Sequence, residues 1–320
     1  MSTVENIFSS IKAMQAPQSG QYSLSKIELS EVGVYYGKDA EGHFVFATIS
    51  QNVQLRASVQ KTKKLVFWFN AICDIVTDGT HAEMTMNVLT CLSDDKNEIL
   101  AFIRLTLAFI EGEDEQSPKQ LYALFTALTN LFSSAYKANQ VELQGFYGEL
   151  FAIKHFYQLG LNLSDYWQKK EKMKFDFSIS ARKKVEIKST TKELRVHHFR
   201  HEQLLSDLYD ICVVSIMLRA DDQGLSLFEL VRDVQRIAAN NFDTLMYIED
   251  FIKNFDEAEL SSIRYNTGYT GRNLHVYKAI NIPRFEEEQP RGVSKTEYDS
   301  DLTYATSMST SDFLDWIQQV

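Results

Sequence analysis

The sequence predicts an α/β protein of the α+β kind, with a β-rich N-terminal domain followed by a mixed sheet flanked by helices. Three observations carry that expectation. Residues 20–92 are a succession of short β-branched and aromatic runs, broken by polar or glycine-containing turns such as GKDAEG. After residue 118, apolar residues recur at the three-and-four spacing of amphipathic helices. Farther on the pattern reads helix, strand, strand, helix, strand, an order that suits a mixed α/β layer. Length agrees, since 320 residues correspond to about two domains at roughly 150 residues each.

The elements follow in order. QYSLSKIEL, HFVFATIS, QLRASV, LVFWF and MTMNVLTCL read as strands. Residues 97–110 are apolar nearly all round and read as a buried helix, with a strand as the competing assignment. EGEDEQSP at 111–118 is acidic and carries Gly and Pro, which makes it the expected boundary between domains 1–111 and 118–320. Leu121, Leu124, Phe125, Leu128, Leu131 and Phe132 define one helix, and Leu143, Phe146, Leu150, Ile153 and Tyr157 a second. KFDFSIS (174–180) and KKVEIKST (183–190) read as two strands joined by a tight Ala-Arg turn. A polar helix is expected around HEQLLSDLY, and a buried strand at ICVVSIML (211–218). Helical segments at 226–240 and 242–260 and a strand at 274–282 complete the reading. The aromatics of LVFWF, SAY and GFYG are expected in the core.

Composition excludes several classes. At 44% hydrophobic and 24% charged, the chain is neither disordered nor collagen-like. It has no apolar run long enough for a membrane span. Its opening residues, MSTVENIFSSIKAMQ, lack a basic segment followed by an apolar one, so no signal peptide is expected. Cys73, Cys91 and Cys212 are scattered and form neither a disulfide framework nor a zinc pair. A reduced, cytoplasmic protein is expected. There is no GxxxxGK[ST] loop, GxGxxG, GxSxG or HExxH, which removes P-loop ATP hydrolysis, the hydrolase elbow and the zincin helix.

Charge is uneven. From Gln168 to Arg200, eleven basic residues face four acids, a net of +7, leaving −17 for the remainder of a chain whose net charge is −10. Such asymmetry points to an anionic partner, with a solvated lysine-rich hairpin as the plain alternative. Lys169, Lys170, Lys172, Arg182, Lys183 and Lys184 are the expected DNA-approach residues, and Arg195 and His197 candidate phosphate contacts. His197, His198 and His201 lack a fourth zinc partner at usual spacing.

The chemistry lies in Asp176, Glu186 and Lys188. Side chains alternate along a strand, so Glu186 and Lys188 face opposite to Val185 and Ile187, and Asp176 opposite to Phe175, Phe177 and Ile179. If the strands pair, two carboxylates and an ammonium share one surface. Two carboxylates with water and a phosphate are how Mg2+ is usually held, and a neighbouring lysine can orient water and offset phosphate charge. The alternative is a surface hairpin with a Glu–Lys pair worth a fraction of a kcal/mol.

FDFSISARKKVEIKST resembles the core of the PD-(D/E)XK nuclease superfamily, with Asp176, Glu186 and Lys188 in a D-x9-E-x-K pattern and Phe175 where the superfamily name has Pro. The chain is similar in particular to PD-(D/E)XK proteins found among bacterial restriction and anti-phage defence genes. The matching pieces are GFYGELFAI, Trp167 in DYW, FDF, VEIKST, Arg195-x-His197 through Gln203-Leu204, GLSLFELV, TGY and IPRF…PRGVSKTEYDSDL. The resemblance implies a restriction-endonuclease-like core and Mg2+-dependent DNA cleavage, with Mn2+ able to substitute. It also implies Glu149 as a helix-borne acid near the metal. Ile187 is expected among the metal-site residues, and Gln203 among the DNA contacts. Expected partners are DNA and defence-system proteins including an ATPase, with a homo-oligomer possible. The alternatives are a non-cutting DNA- or ATPase-binding subunit and a repair or junction-resolving nuclease.

Overall fold

The computed structural model describes residues 3–27, 33–50, 57–77, 80–112, 117–133, 137–168, 174–205, 208–285, 293 and 295–319. The chain starts with α1 (Thr3–Ala13), β1 (Gln21–Ile27), β2 (Val34–Lys38), β3 (Phe44–Ile49), β4 (Ser58–Lys61), β5 (Leu65–Thr77) and β6 (Thr80–Cys91). Next come α2 (Lys96–Gly112), α3 (Pro118–Ser133), α4 (Gln140–Tyr157), β7 (Phe177–Ser178), β8 (Lys183–Thr190), β9 (Val196–Arg200) and β10 (Asp210–Met217). The rest holds β11 (Ala220–Ser226), α5 (Leu227–Ile237), α6 (Phe242–Ile252), α7 (Glu257–Ser262), β12 (Arg264–Tyr265) and α8 (Thr267–Arg272). It ends with β13 (Leu274–Lys278), β14 (Glu297–Asp301) and α9 (Thr310–Gln318). This is the mixed α/β architecture expected. Among the described residues, no helix is long and apolar enough to cross a membrane.

The chain divides into two compact units, Met1–Tyr136 with Ala239–Asn254, and Lys137–Ala238 with Phe255–Val320. The division therefore differs from the expected one at 111–118. α3 sends Leu121, Leu124, Phe125, Leu128 and Leu131 into the same core as Phe67, Phe102 and Leu105, which keeps it in the first unit. The acidic stretch runs from the end of α2 to the start of α3, and its residues 113–116 fall outside the described ones.

In the first unit, strands run in the order β1-β2-β3-β6-β5-β4, and β5 also pairs in parallel with β1, which closes the sheet on itself. Alternation separates two cores. Phe44 and Phe46 join the helices, while Val45 and Ala47 pack with Leu24, Cys73, Ile75, Met86 and Val88. β5 serves both cores because its register with β6 slips between Trp68 and Ala71. One extra residue there flips the faces. Asn70, at φ 52, takes the turn, its backbone N–H donating to Asn87 Oδ1 at 3.0 Å. Leu65 and Phe67 are core as expected, whereas Trp68 is 40% exposed. The expected strand QLRASV begins outside the described residues, and β4 covers only its end. α6 returns to this unit: Leu245 enters its core, and Arg104 on α2 pairs with the buried Glu249.

In the second unit the sheet order is β13-β10-β8-β7, with β8 and β10 parallel and the other pairs antiparallel. β10 is the continuous apolar run expected of a strand covered on both faces, with Ile211 through Ile216 buried. Several expectations change. No helix forms at HEQLLSDLY within the described residues. Instead VHHFR is β9, paired antiparallel with β14, and a 3-10 turn follows at His201–Gln203. His197 and Phe199 alternate inward, a period of two that the neighbouring leucines masked. The strand at 174–180 narrows to Phe177–Ser178, and the stretch 242–260 splits into α6 and α7 at the N-cap Asp256. α1, β2, β11, β12, α8, β14 and α9 have no counterpart among the expected elements.

Candidate active site

α4 starts at a capping box on Asn139 and packs along β8. A Cβ on Gly148 would stand 2.9 Å from Ser189 Cβ, so glycine is what lets the helix lie so close. Gly145 has open space around it and does not set the approach. Gln144 Nε2 donates to Ser189 O at 3.0 Å, and Ser189 Oγ to Gln144 O at 3.1 Å. This contact carries Glu149, one residue past Gly148, over the sheet.

Asp176 enters just before β7 while Phe175, Phe177 and Ile179 are buried on the opposite side. Its Oδ2 accepts the Ile187 backbone N–H at 2.6 Å. On β8, Val185 and Ile187 pack into the interior, Glu186 is 3% exposed, and Lys188 is half-buried. Lys188 Nζ lies 2.9 Å from Glu186 Oε1 and 5.2 Å from the centre of the Phe199 ring. Glu149, Asp176, Glu186 and Lys188 thus occupy one cluster.

Each carboxylate has one oxygen engaged by a protein donor. Asp176 is held by the Ile187 amide. Glu149 Oε2 accepts from Trp167 Nε1 at 2.7 Å, and that indole stacks against Phe146 and Phe177. Glu186 Oε1 accepts from Gln203 Nε2 at 2.6 Å. The second oxygen, Glu186 Oε2, is buried without a hydrogen-bond partner.

Burial opposes negative charge throughout the cluster. It pushes Glu149 up to about 7, with Trp167 and Lys188 opposing and Glu186 adding to the rise. Burial followed by Glu186 and Glu149 holds Asp176 well above the usual carboxylate range. Glu186 is raised by burial against the pull of Lys188. Three carboxyls near one ammonium are an arrangement that a divalent cation would relieve. The orphaned Oε2 and the all-oxygen donor set fit a hard ion such as Mg2+ or Mn2+. Ile187 has its amide committed to Asp176, so its carbonyl is the atom it can offer. Among the described residues, the trio whose ligand atoms all lie within 4.8 Å of one another is Asp39, Glu41 and His43 of the first unit. The cluster formed by Glu149, Asp176 and Glu186 is more open.

Most of the expected DNA contacts are occupied elsewhere. Lys169, Lys170 and Lys172 lie outside the described residues. Lys183 Nζ donates to the backbone carbonyls of Trp316 and Gln319 and sits over the Trp316 ring, which ties it to α9. Lys184 Nζ donates to Ser178 Oγ and to Ser180 O, and burial lowers its affinity for a proton. Arg195 is buried, donating to Ser215 O and Oγ and to Asn273 O. His197 is buried against Ser215 Oγ at 2.6 Å. Four of the expected contacts are therefore structural, their polar atoms satisfied by the unit itself. Arg182 is exposed. Gln203 faces the carboxylates rather than the surface. His198 pairs with Asp299 and Glu297, and His201 meets Tyr298, so the three histidines do not converge.

Gln203 is the residue whose place the sequence concealed. It lies 17 positions from Glu186, in a 3-10 turn that no local periodicity announces. Two other partners, the Trp167 indole and the Phe199 ring, reach the cluster by the same kind of long-range contact.

A family profile described as "Putative PD-(D/E)XK family member, (DUF4420)" matches residues 4–303. No curated protein matches, and no solved structure does.

Proposed function

We propose, from the premise that the chain belongs to this PD-(D/E)XK family, that it is a Mg2+-dependent DNA endonuclease. The observation that carries the reading is the buried, unpartnered Glu186 Oε2 beside Asp176 and Lys188. Asp176, Glu186 and the Ile187 carbonyl would hold the ion, with Glu149 near it. When bound, the ion supplies Lewis-acid polarisation of the phosphodiester. Lys188 supplies a fixed ammonium that offsets charge on the phosphate and orients the attacking water. The Asp176–Ile187 bond keeps the acid at the open edge of β8, beyond the end of the short β7 ladder.

The test is cleavage of plasmid DNA with Mg2+ or Mn2+. Lys188→Ala is expected to lower the rate by about 10²–10⁴-fold while largely sparing metal binding. Asp176→Asn is expected to lose both. Full activity in both variants would end this reading.

The setting we propose is a cytoplasmic bacterial restriction or anti-phage defence system in which a partner bearing an ATPase delivers DNA. Charge supports dependence on a partner, since −17 outside the Gln168–Arg200 segment repels DNA within a Debye length of about 8 Å. With Lys183, Lys184 and Arg195 engaged internally, that segment offers less free charge than its count suggests. Cleavage by the chain alone is expected to be slow, and faster with the products of neighbouring genes at equal Mg2+.

A further inference from the structure

Gln203 is fixed by its own turn. The Arg200 backbone N–H donates to Gln203 Oε1 at 3.0 Å, and the His201 N–H donates to Thr296 O at 2.9 Å, tethering the turn to the residue before β14. From this anchored position the amide spans to β8. Its Nε2 donates to Glu186 Oε1 at 2.6 Å, and its Oε1 accepts from Lys188 Nζ at 3.3 Å. Lys188 Nζ meets the same Glu186 oxygen at 2.9 Å. Both side-chain donors therefore crowd Oε1, and Oε2 is left buried with no partner within hydrogen-bond geometry. An unsatisfied buried acceptor is costly for a fold to keep unless something else fills it.

We propose that Gln203 is a positioning residue for the cation. It pins Glu186 through one oxygen, so that the other is presented to the metal, and it fixes the separation of that carboxylate from Lys188. This deepens, and rests on, the metal-dependent reading above. The anchors of Asp176 and Glu149 are a backbone amide and an indole held in an aromatic stack. Gln203 differs because it touches both the carboxylate and the ammonium. Without it, Glu186 is free to turn both oxygens to Lys188, which withdraws Oε2 from the site.

The experiment is a Mn2+ titration of the full chain without DNA, following free Mn2+ by electron paramagnetic resonance. Gln203→Leu and Gln203→Met, the latter nearest in shape, remove both amide functions. Metal affinity is expected to fall about 10–100-fold in each, as for other residues that orient a metal ligand. Thermal midpoints without metal serve as the folding control, and the metal comparison is made on whichever variant keeps the wild-type midpoint. With DNA, raised Mn2+ is expected to restore part of the lost rate, an outcome that mere loosening of the fold does not give. Equal affinity in wild type and variants overturns the assignment of Gln203 and leaves the nuclease reading standing. A wild-type chain that binds Mn2+, loses it in the variants and yet cuts no DNA even with the products of the neighbouring genes supports the assignment and removes the nuclease reading. A wild-type chain that binds no Mn2+ overturns both.

Discussion

His197 lies on β9 with 4% of its surface exposed, its ring against Ser215 Oγ and beside the Arg195 guanidinium. Burial, then Arg195 and Lys188, push it down to about 3 from an ordinary value of 6.5. Between those limits an unfolded chain binds a proton that the folded one refuses. Stability contributed by keeping this ring neutral is therefore complete above about pH 6.5 and drains as pH falls toward 3. The slope is at most about 1.4 kcal/mol per pH unit. His197→Gln is expected to flatten the acid limb of a urea-midpoint profile between pH 7.5 and 4.5. Parallel profiles would show that this histidine is not what the acid attacks. The same residue marks how far single residues were legible. The D-x9-E-x-K spacing could be read because alternation along paired strands is a local property. The engagement of Arg195, His197 and Lys183 could not, since their partners lie 20, 18 and 133 positions away.

Helix α4 meets strand β8 beside Gly148 and not beside Gly145, a distinction the sequence alone does not make. Ala at Gly148 puts a methyl 2.9 Å from Ser189 Cβ and 3.7 Å from Ile187 Cγ2, atoms close to the backbone of β8. The cost is expected to be about 1–3 kcal/mol, read as a lower urea midpoint, with Glu149 carried away from the cluster. Ala at Gly145 meets nothing within 4 Å and is expected to stabilise the helix by about 0.5–1 kcal/mol. Reversal of the two signs would mean that the packing of α4 on β8 is not as described. Elements with a strong period of their own, such as α3, α4 and β10, were visible in the sequence. β9 was not, because its partner β14 begins 97 positions beyond the end of β9, and neither strand has a hairpin turn to betray the pairing. The reversal of faces along β5 was hidden for a related reason. It depends on one buried asparagine whose partner is on another strand.

At the scale of the whole molecule, residues 239–254 leave the second unit's sequence to complete the first. Removing residues 1–136 alone would strip the cover from Leu245, Phe242 and Met246. Each fully buried apolar side chain so exposed forfeits about 1.5–3 kcal/mol. A chain of residues 137–320 is expected to self-associate in light scattering. The same chain with 239–254 replaced by a short Gly-Ser loop is expected to be monodisperse. Equal behaviour of the two would show that α6 does not need the first unit. The excursion also sets a clock on synthesis. At about 5–20 residues per second, a ribosome spends roughly 5–20 s making residues 137–238 after the first unit's own strands and helices have emerged. Throughout that interval the core that receives Leu245 stays unsealed. Asp176 and Glu186 are therefore already outside the ribosome before the first unit can close.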